Sequence, residues 1–474
     1  MNLKTVHNLS SGFSRRKFIG SAAAAMILPG LWLENQAHTQ ISGDLKQFSE
    51  PAREIPVKDE VDVIVCGGGP AGIAAAITAA RAGASVRLFE MHGCLGGTWT
   101  SGLLTWIFDI DKPGIAKEIR EKLDERGARR GTDKDNFVYE PDEMKLLLED
   151  LSMEAGVKIR LMTQLVAAYK DNNRLTTIIT ESKSGREAWR AQVFIDATGD
   201  GDLGALSGCG WDIGRPEDGL CQPLTMNALA IVRDVTLLQK YICFYGGDQS
   251  WRGEPNKNFK AEIRRAGIEP SYNVAKLFHV RDNIVLMMVN HEYGVKPYDT
   301  DAMTAATIHG RREVFNIARG LRSLGGVWEG MQVIASAEQI GIREGRRIHG
   351  IYTLSEEDIL NGTTFEDGIA RVNFGVDIHQ LSKGVHDQGN KITAKPYEIP
   401  LRALIAKDVD GLMMAGRCIS GDFIAHSSYR VTGNAVAMGE AAGVVAAVAS
   451  QNRKMPHEVA WDEAVEKLKQ IGQR

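Results

Sequence analysis

The stretch Val61-Asp62-Val63-Ile64-Val65-Cys66-Gly67-Gly68-Gly69-Pro70-Ala71-Gly72 decides the fold. Its first six residues are mostly β-branched, the pattern of a strand buried in a parallel sheet. Gly67, Gly69 and Gly72 then spell G-x-G-x-x-G and lead into the alanine-rich run Ala71–Ala82, which predicts a helix. Ser85–Glu90 predicts a second strand, so the segment reads as one βαβ unit. In such a unit Gly67 permits the tight turn, Gly69 lets backbone approach a pyrophosphate, and Gly72 lets the helix pack on the strand. The helix opened by Pro70 and Ala71 offers free N–H groups and a partial positive charge to phosphates. Glu90 ends the next strand, where a carboxylate accepts hydrogen bonds from ribose hydroxyls. A dinucleotide site is therefore expected here.

Three further turns lie outward from this unit. Leu95-Gly96-Gly97-Thr98-Trp99-Thr100 follows Glu90 closely. Ile195-Asp196-Ala197-Thr198-Gly199-Asp200-Gly201-Asp202 ends the apolar strand begun at Val193, and Asp200 and Asp202 are expected to fix the turn and cap the next helix. Gly411–Gly416, within the block ending Leu412-Met413-Met414-Ala415-Gly416-Arg417, predicts a last central strand, and a long apolar helix is predicted from Asn434 to Ala449. Other predicted helices cover Pro141–Gly156 and Trp461–Gln470, with strand-like runs at Val157–Leu161 and Leu175–Thr180.

Together these motifs resemble the bacterial FAD-dependent oxidoreductase family, which is related to glutathione reductase and to fumarate reductase flavoproteins. The stretches Arg343–Tyr352, Lys395–Arg402 and His426–Arg430 extend the resemblance. It implies FAD rather than a nicotinamide, because in such FAD enzymes a Gly-Gly-Thr turn passes beside the pyrophosphate and flavin. It also implies a cofactor-binding set of Gly67, Gly69, Pro70, Ala71, Gly72, Glu90, Gly96, Gly97, Thr98, Val166, Ala197, Thr198, Gly199, Gly416, Arg417, Gly433 and Asn434. The spacing of His92 and Cys94 before Gly96 does not match a covalent-linkage motif, so the flavin is expected to be held non-covalently. A helix starting near Asn434 would point its N-terminus at the flavin and stabilise negative charge on the reduced ring.

His426 and Arg430 are expected in a loop between Gly416 and that helix, within reach of the flavin. His426 is the candidate base. Arg430 is the candidate partner for a substrate carboxylate or an anionic intermediate. Arg343, Glu344, Arg346 and Arg347 read as a buried charged network, with Arg343 and Arg347 spaced to share a helix face. His379 and Tyr397 are further candidates.

The fold class expected is α/β: a Rossmann-like FAD-binding domain with a parallel sheet, helices and a small β-meander, plus an inserted α+β substrate domain. Residues 57–214 and 401–474 are assigned to the first and residues 215–400 to the second. A composition of 43% hydrophobic and 24% charged residues is ordinary for a globular chain, and its 474 residues are enough for two cores. A net charge of -4 gives no reason to expect nucleic acid. The six cysteines form no CxxC pair, which argues against zinc, a local iron–sulfur cluster or a redox dithiol, and no metal is expected.

Ser14-Arg15-Arg16-Lys17-Phe18-Ile19-Gly20 resembles a twin-arginine export signal, and the apolar run after it is too short to span a bilayer. Residues 1–37 are read as that signal and 38–56 as a linker, which implies the export machinery as a partner and a periplasmic or other extracytoplasmic location. The function expected is oxidation of a small organic substrate, sugar-derived or another hydroxy compound. Hydride passes to FAD, and the electrons leave to a quinone, a cytochrome or oxygen. Alternatives are reduction of an unsaturated acid, a FAD-binding electron-relay subunit and a nicotinamide-dependent dehydrogenase. No second G-x-G-x-x-G of comparable quality follows residue 200 to support the last.

Overall fold

The β-branched run lies in the middle of a sheet, as its composition requires. A computed structural model describes residues 48–131, 133–245, 253–383 and 392–473. The chain divides into two units, Met1–Arg53 and Glu54–Arg474. The motif at Ser14–Gly20 and most of the expected linker lie outside the described residues. The second unit holds everything that follows.

It opens with strand β1 (Val57–Cys66), helix α1 (Pro70–Arg81) and strand β2 (Val86–Phe89). Helix α2 (Pro141–Glu154) and strands β3 (Lys158–Arg160), β4 (Gln164–Asp171), β5 (Arg174–Ser182) and β6 (Gly185–Asp196) follow. The sheet order is β3-β2-β1-β6-β5-β4. β3, β2, β1 and β6 run parallel, with Val65 of β1 beside Ile195 of β6. β4, β5 and β6 form the antiparallel meander. β1 starts four residues earlier than the β-branched run, because the polar lead-in from Val57 pairs with β6 from Ala188 onward.

A second sheet holds β7 (Asn227–Ile231), β8 (Lys276–Arg281), β9 (Ile284–Met288) and β10 (Gln332–Ser336), antiparallel in the order β8-β9-β7-β10. Helix α3 (Thr300–Ser323) packs Val314, Ile317, Ala318 and Leu321 onto this second core. The chain then returns. β11 (Leu412–Met414) pairs parallel with β6, and helices α4 (Phe423–Tyr429) and α5 (Thr432–Asn452) complete the first layer.

The two hydrophobic cores do not divide at residue 400. Ile348, Leu354, Ile359, Ile369, Val372, Tyr397 and Ile399 all pack in the first core, whereas the second runs from Leu224 to Ile340 and borrows Leu103, Trp106 and Val138. Sequence pattern marks an apolar residue as buried but does not say in which core. Helix α5 is long and apolar enough to cross a membrane, yet nearly all of it is buried inside the protein.

The tightest joint in the first core is between α1 and α5. A side chain at Gly439 would overlap the carbonyl oxygen of Ala71, and one at Gly443 would overlap that of Ala75. The two glycines are one helical turn apart, so the backbones lie against each other over a full turn. Gly443→Ala is expected to push the helices apart and destabilise the fold by about 1–3 kcal/mol, the usual cost of overpacking. An unchanged melting temperature in thermal unfolding would contradict this contact.

Candidate functional site

A cavity of about 980 Å³ opens at the carboxyl ends of β1, β6 and β11. This is where open α/β sheets bind ligands, and the volume lies near the top of the range for small-molecule sites, roughly 300–1,000 Å³. Cys66, Gly67, Gly69, Pro70 and Ala71 line it from the first βα turn. Gly67 sits at φ +102°, a conformation that favours glycine, and a side chain there would strike the carbonyl of Ala197. Gly72 sits behind the wall, where any side chain would overlap Gly67. A Cβ on Gly69 would meet nothing within 4 Å, so this turn faces open space. No side chain caps α1 at Gly69, and none caps α5 at Val431. Both helix starts therefore present first-turn N–H groups toward the cavity, whose wall includes Ala71 and Thr432.

The other turns are tied to the first. Gly96 donates its N–H to the Gly68 carbonyl at 2.8 Å, which brings Gly97 and Thr98 into the wall while Gly96 stays behind it. Glu90 accepts the Gly68 N–H at 2.6 Å and the His92 N–H at 2.8 Å. Thr163, Gln164 and Leu165 line the cavity beyond Glu90. Val166, one residue farther along β4, does not line it, because the strand leads away from the cavity after Leu165. Ala197, Thr198 and Gly199 line the opposite side. Asp196, rather than Asp200 or Asp202, fixes that turn: it accepts from the Thr198 hydroxyl at 2.7 Å and the Gly204 N–H at 2.8 Å. Asp200 instead pairs with Arg417 at 2.9 Å, and Asp202 with Arg346 at 2.9 Å. Gly416 and Arg417 are in the wall. Gly433 and Asn434 are not. Gly433 packs against the Phe108 and Asp109 carbonyls, and Asn434 is fully buried with neither amide atom hydrogen-bonded.

The sequence profile of the FAD dependent oxidoreductase family matches residues 62–471. The chain belongs to that family. It is 28% identical over 224 residues to digeranylgeranylglycerophospholipid reductase 2 of Methanopyrus kandleri, covering 44% of this chain and 57% of that protein. It is 32% identical over 122 residues to a thiamine thiazole synthase of Pyrococcus abyssi, covering 25% of this chain and 46% of that one. The chain thus spans about half the length of these curated relatives. Among solved structures, a geranylgeranyl bacteriochlorophyll reductase-like protein of Thermoplasma acidophilum is 14% identical, with 88% of this chain and 84% of that chain covered at a TM-score of 0.42.

The cofactor is FAD, and the cavity fits it. Open space over Gly69, two uncapped helix starts and the Glu90 carboxylate supply the donor and acceptor set that a dinucleotide requires. Residues at Gly67–Ala71 would hold the pyrophosphate, Glu90 the adenosine ribose, and the first turn of α5 the ring system.

Beyond the start of α5 the wall turns polar and cationic. Arg430, Asp377, His379, Tyr272, Lys276 and Arg343 line this end, among Trp106, Phe108, Phe278 and Phe374. Arg430 Nη2 donates to the Asp377 carboxylate at 3.1 Å and to Gln222 Oε1 at 3.2 Å. His379 Nε2 lies 3.2 Å from the same Asp377 oxygen. Burial, with Arg343 nearby, pushes the His379 imidazole down to about 4. Burial raises the Asp377 carboxyl, but His379, Arg430 and Lys276 outweigh it and hold the group ionised. Neutral His379 therefore donates Nε2–H to Asp377 and keeps a lone pair on Nδ1.

His426 lies elsewhere than expected. Residues 423–429 form helix α4, capped by Asp422, and not a loop. Its ring is fully buried, edge-on to Tyr429 at 5.4 Å, with neither nitrogen hydrogen-bonded, and it is absent from the cavity wall. Burial and the neighbouring arginines keep it neutral. Arg343 and Arg347 do not share a helix either. Arg347 is in a short strand and makes a buried pair with Glu344 at 2.5 Å, while Arg343 reaches the cavity. Tyr397 is fully buried and donates to Ser428 at 3.0 Å, away from the cavity. Asp377, Lys276 and Tyr272 carry no motif; the Asp-x-His pair at 377 and 379 was the one available signal.

Burial also pushes His291 well down. Unfolded histidines protonate near 6.5. Between that value and about 4 the unfolded chain takes protons that folded His379 refuses, so this residue's contribution to stability falls as pH drops. Asp202, raised to about 6 by burial and by Asp200 and Asp196, acts in the opposite sense. The clean test is a comparison. His379→Gln is expected to shrink the fall in melting temperature between pH 7.5 and pH 5, and an equal or larger fall would contradict a neutral folded His379.

Proposed function

We propose that this FAD-dependent oxidoreductase oxidises a small organic hydroxy compound bearing an acid group. The observation that carries the reading is the Asp377–His379–Arg430 cluster in the wall beside the start of α5. Bound FAD supplies a two-electron oxidant that accepts hydride from a substrate C–H bond. His379 Nδ1 takes the hydroxyl proton as the carbonyl forms, and Asp377 stabilises the resulting imidazolium. Arg430 holds the acid group and so orients the C–H bond. Aromatic walls at Trp106, Phe108 and Phe374 exclude water from the reacting carbon. The electrons then pass to an external acceptor, for which a quinone, a cytochrome or oxygen is chemically competent.

Anaerobic mixing of the purified yellow protein with hydroxy acids should bleach the flavin. His379→Ala should slow that bleaching by roughly 10²–10⁴-fold, the usual contribution of a general base, with flavin content unchanged. If no hydroxy compound bleaches it but unsaturated acids reoxidise the reduced protein, the reaction runs in the reductive direction instead.

Export is also part of this reading. It is supported by the order Ser14-Arg15-Arg16-Lys17-Phe18 ahead of an apolar run. Export by the twin-arginine route carries folded proteins, so the flavin would be loaded before transport. Lys in place of both Arg15 and Arg16 is expected to leave the yellow protein in the cytoplasmic fraction of a bacterial host. Equal recovery from the periplasmic fraction would overturn the assignment.

A further inference from the structure

The substrate end of the cavity carries more positive charge than one carboxylate can balance. Arg430, Arg343 and Lys276 line it, against the single ionised carboxylate of Asp377. Arg430 is paired with that carboxylate. Arg343 and Lys276 form no ion pair with any described residue, and the remaining acidic residues of the wall lie with the dinucleotide cradle or are paired there: Glu90 with backbone N–H groups, Asp200 with Arg417, Asp202 with Arg346, and Glu338 with His92. Both cations, hydrogen-bonded but without an ion-pair partner among the described residues, stay charged. Burial and Arg430 lower Arg343 only to about 10, and Tyr272 raises Lys276. A buried charge without a counter-charge is costly, and a ligand that supplies two negative charges relieves it.

The cations also come from two directions. Arg430 is pinned at the end of α4 by Asp377 and Gln222. Arg343 is pinned by the Pro223 carbonyl at 2.7 Å and the Thr225 hydroxyl at 2.6 Å, beside the second core, and Lys276 stands on β8 of that core. One nitrogen of Arg343 is occupied by these bonds, which fixes the guanidinium and leaves its other donors for a ligand. The same wall carries the aromatic rings of Trp106, Phe108, Phe278 and Phe374, against which a short carbon chain can pack.

From this we infer that the natural substrate is a dicarboxylate: one carboxylate is held by Arg430, and the second by Arg343 and Lys276. The inference rests on the hydroxy-acid reading and names its substrate class.

The test is equilibrium binding to the yellow holoenzyme, read as perturbation of the flavin absorption spectrum. Malonate and succinate are compared with acetate and propionate, and with inorganic phosphate as a dianion of a single group. The dicarboxylates are expected to bind on the order of 100-fold tighter than monocarboxylates, the scale of an added set of charge-assisted hydrogen bonds. Arg343→Gln should cut that preference to under about tenfold, and Arg343→Lys should restore part of it. Lys276→Gln, on a different element, should act in the same direction if the first variant does not fold.

Equal binding of mono- and dicarboxylates would overturn the inference. So would phosphate binding as tightly as the dicarboxylates, or a preference that survives both Gln variants. Flavin bleaching by 2-hydroxy dicarboxylates separates the two readings. Tight dicarboxylate binding without bleaching by any hydroxy acid leaves the substrate class standing and removes the oxidation reading. Bleaching by monocarboxylic hydroxy acids, with dicarboxylates binding no better, does the reverse.

Discussion

The close approach of α1 and α5 is the contact on which the rest of the site depends. It joins residues near 71 to residues near 439, which no local interaction could bring together. With Ala71 and Ala75 on one helix and Gly439 and Gly443 on the other, nothing separates the two backbones. That fixes both helix starts against one cavity, because α1 leaves the end of β1 and α5 follows β11, and β1 and β11 flank β6. Two sets of free N–H groups would then serve one cofactor, one toward its phosphates and one toward its ring. A larger residue at either glycine would tilt one helix and misaim its N-terminus.

Charge along the cavity is graded in a way that matches this geometry. The carboxylate of Glu90 stands at one end, neutral backbone donors occupy the middle, and cations gather at the other end. Arg417 and Arg346 face the turn after β6, where Asp200 and Asp202 cancel them. The remaining positive charge is concentrated where the second core meets the first. The insertion thus builds part of the cavity wall: Tyr272, Lys276 and Phe278 on or beside β8 line the same cavity as Arg430.

The parts legible in the sequence share one property, which is that their meaning is local. The β-branched run before Gly67 was readable as a buried strand. Gly67, Gly69 and Gly72 were readable as turn, approach and packing because each role follows from a missing Cβ within a few residues. The Asp196-to-Gly199 turn and the Ala-Gly turn at Gly416 were readable in the same way, and helix α5 was placed within a few residues of its ends. His426 shows where that logic fails. It stands four residues before Arg430, and proximity in sequence suggested proximity to the flavin. The segment is helical, however, and the four-residue spacing stacks the two on one side of it a full turn apart, so they sit at different depths along the helix. Arg430 ends the helix and reaches the cavity, while His426 turns into the core.

Sequence alone determined that this chain holds FAD on a Rossmann-type sheet, since backbone sterics and helix polarity are written in short glycine patterns. Tertiary structure decided which side chains gather at the far end of the cavity. Tyr272, Lys276, Arg343, Asp377, His379 and Arg430 come from segments spread over more than a third of the chain. Apart from the Asp-x-His pair at 377 and 379, none has a spacing that marks it, because their proximity is a product of how the second core docks on the first.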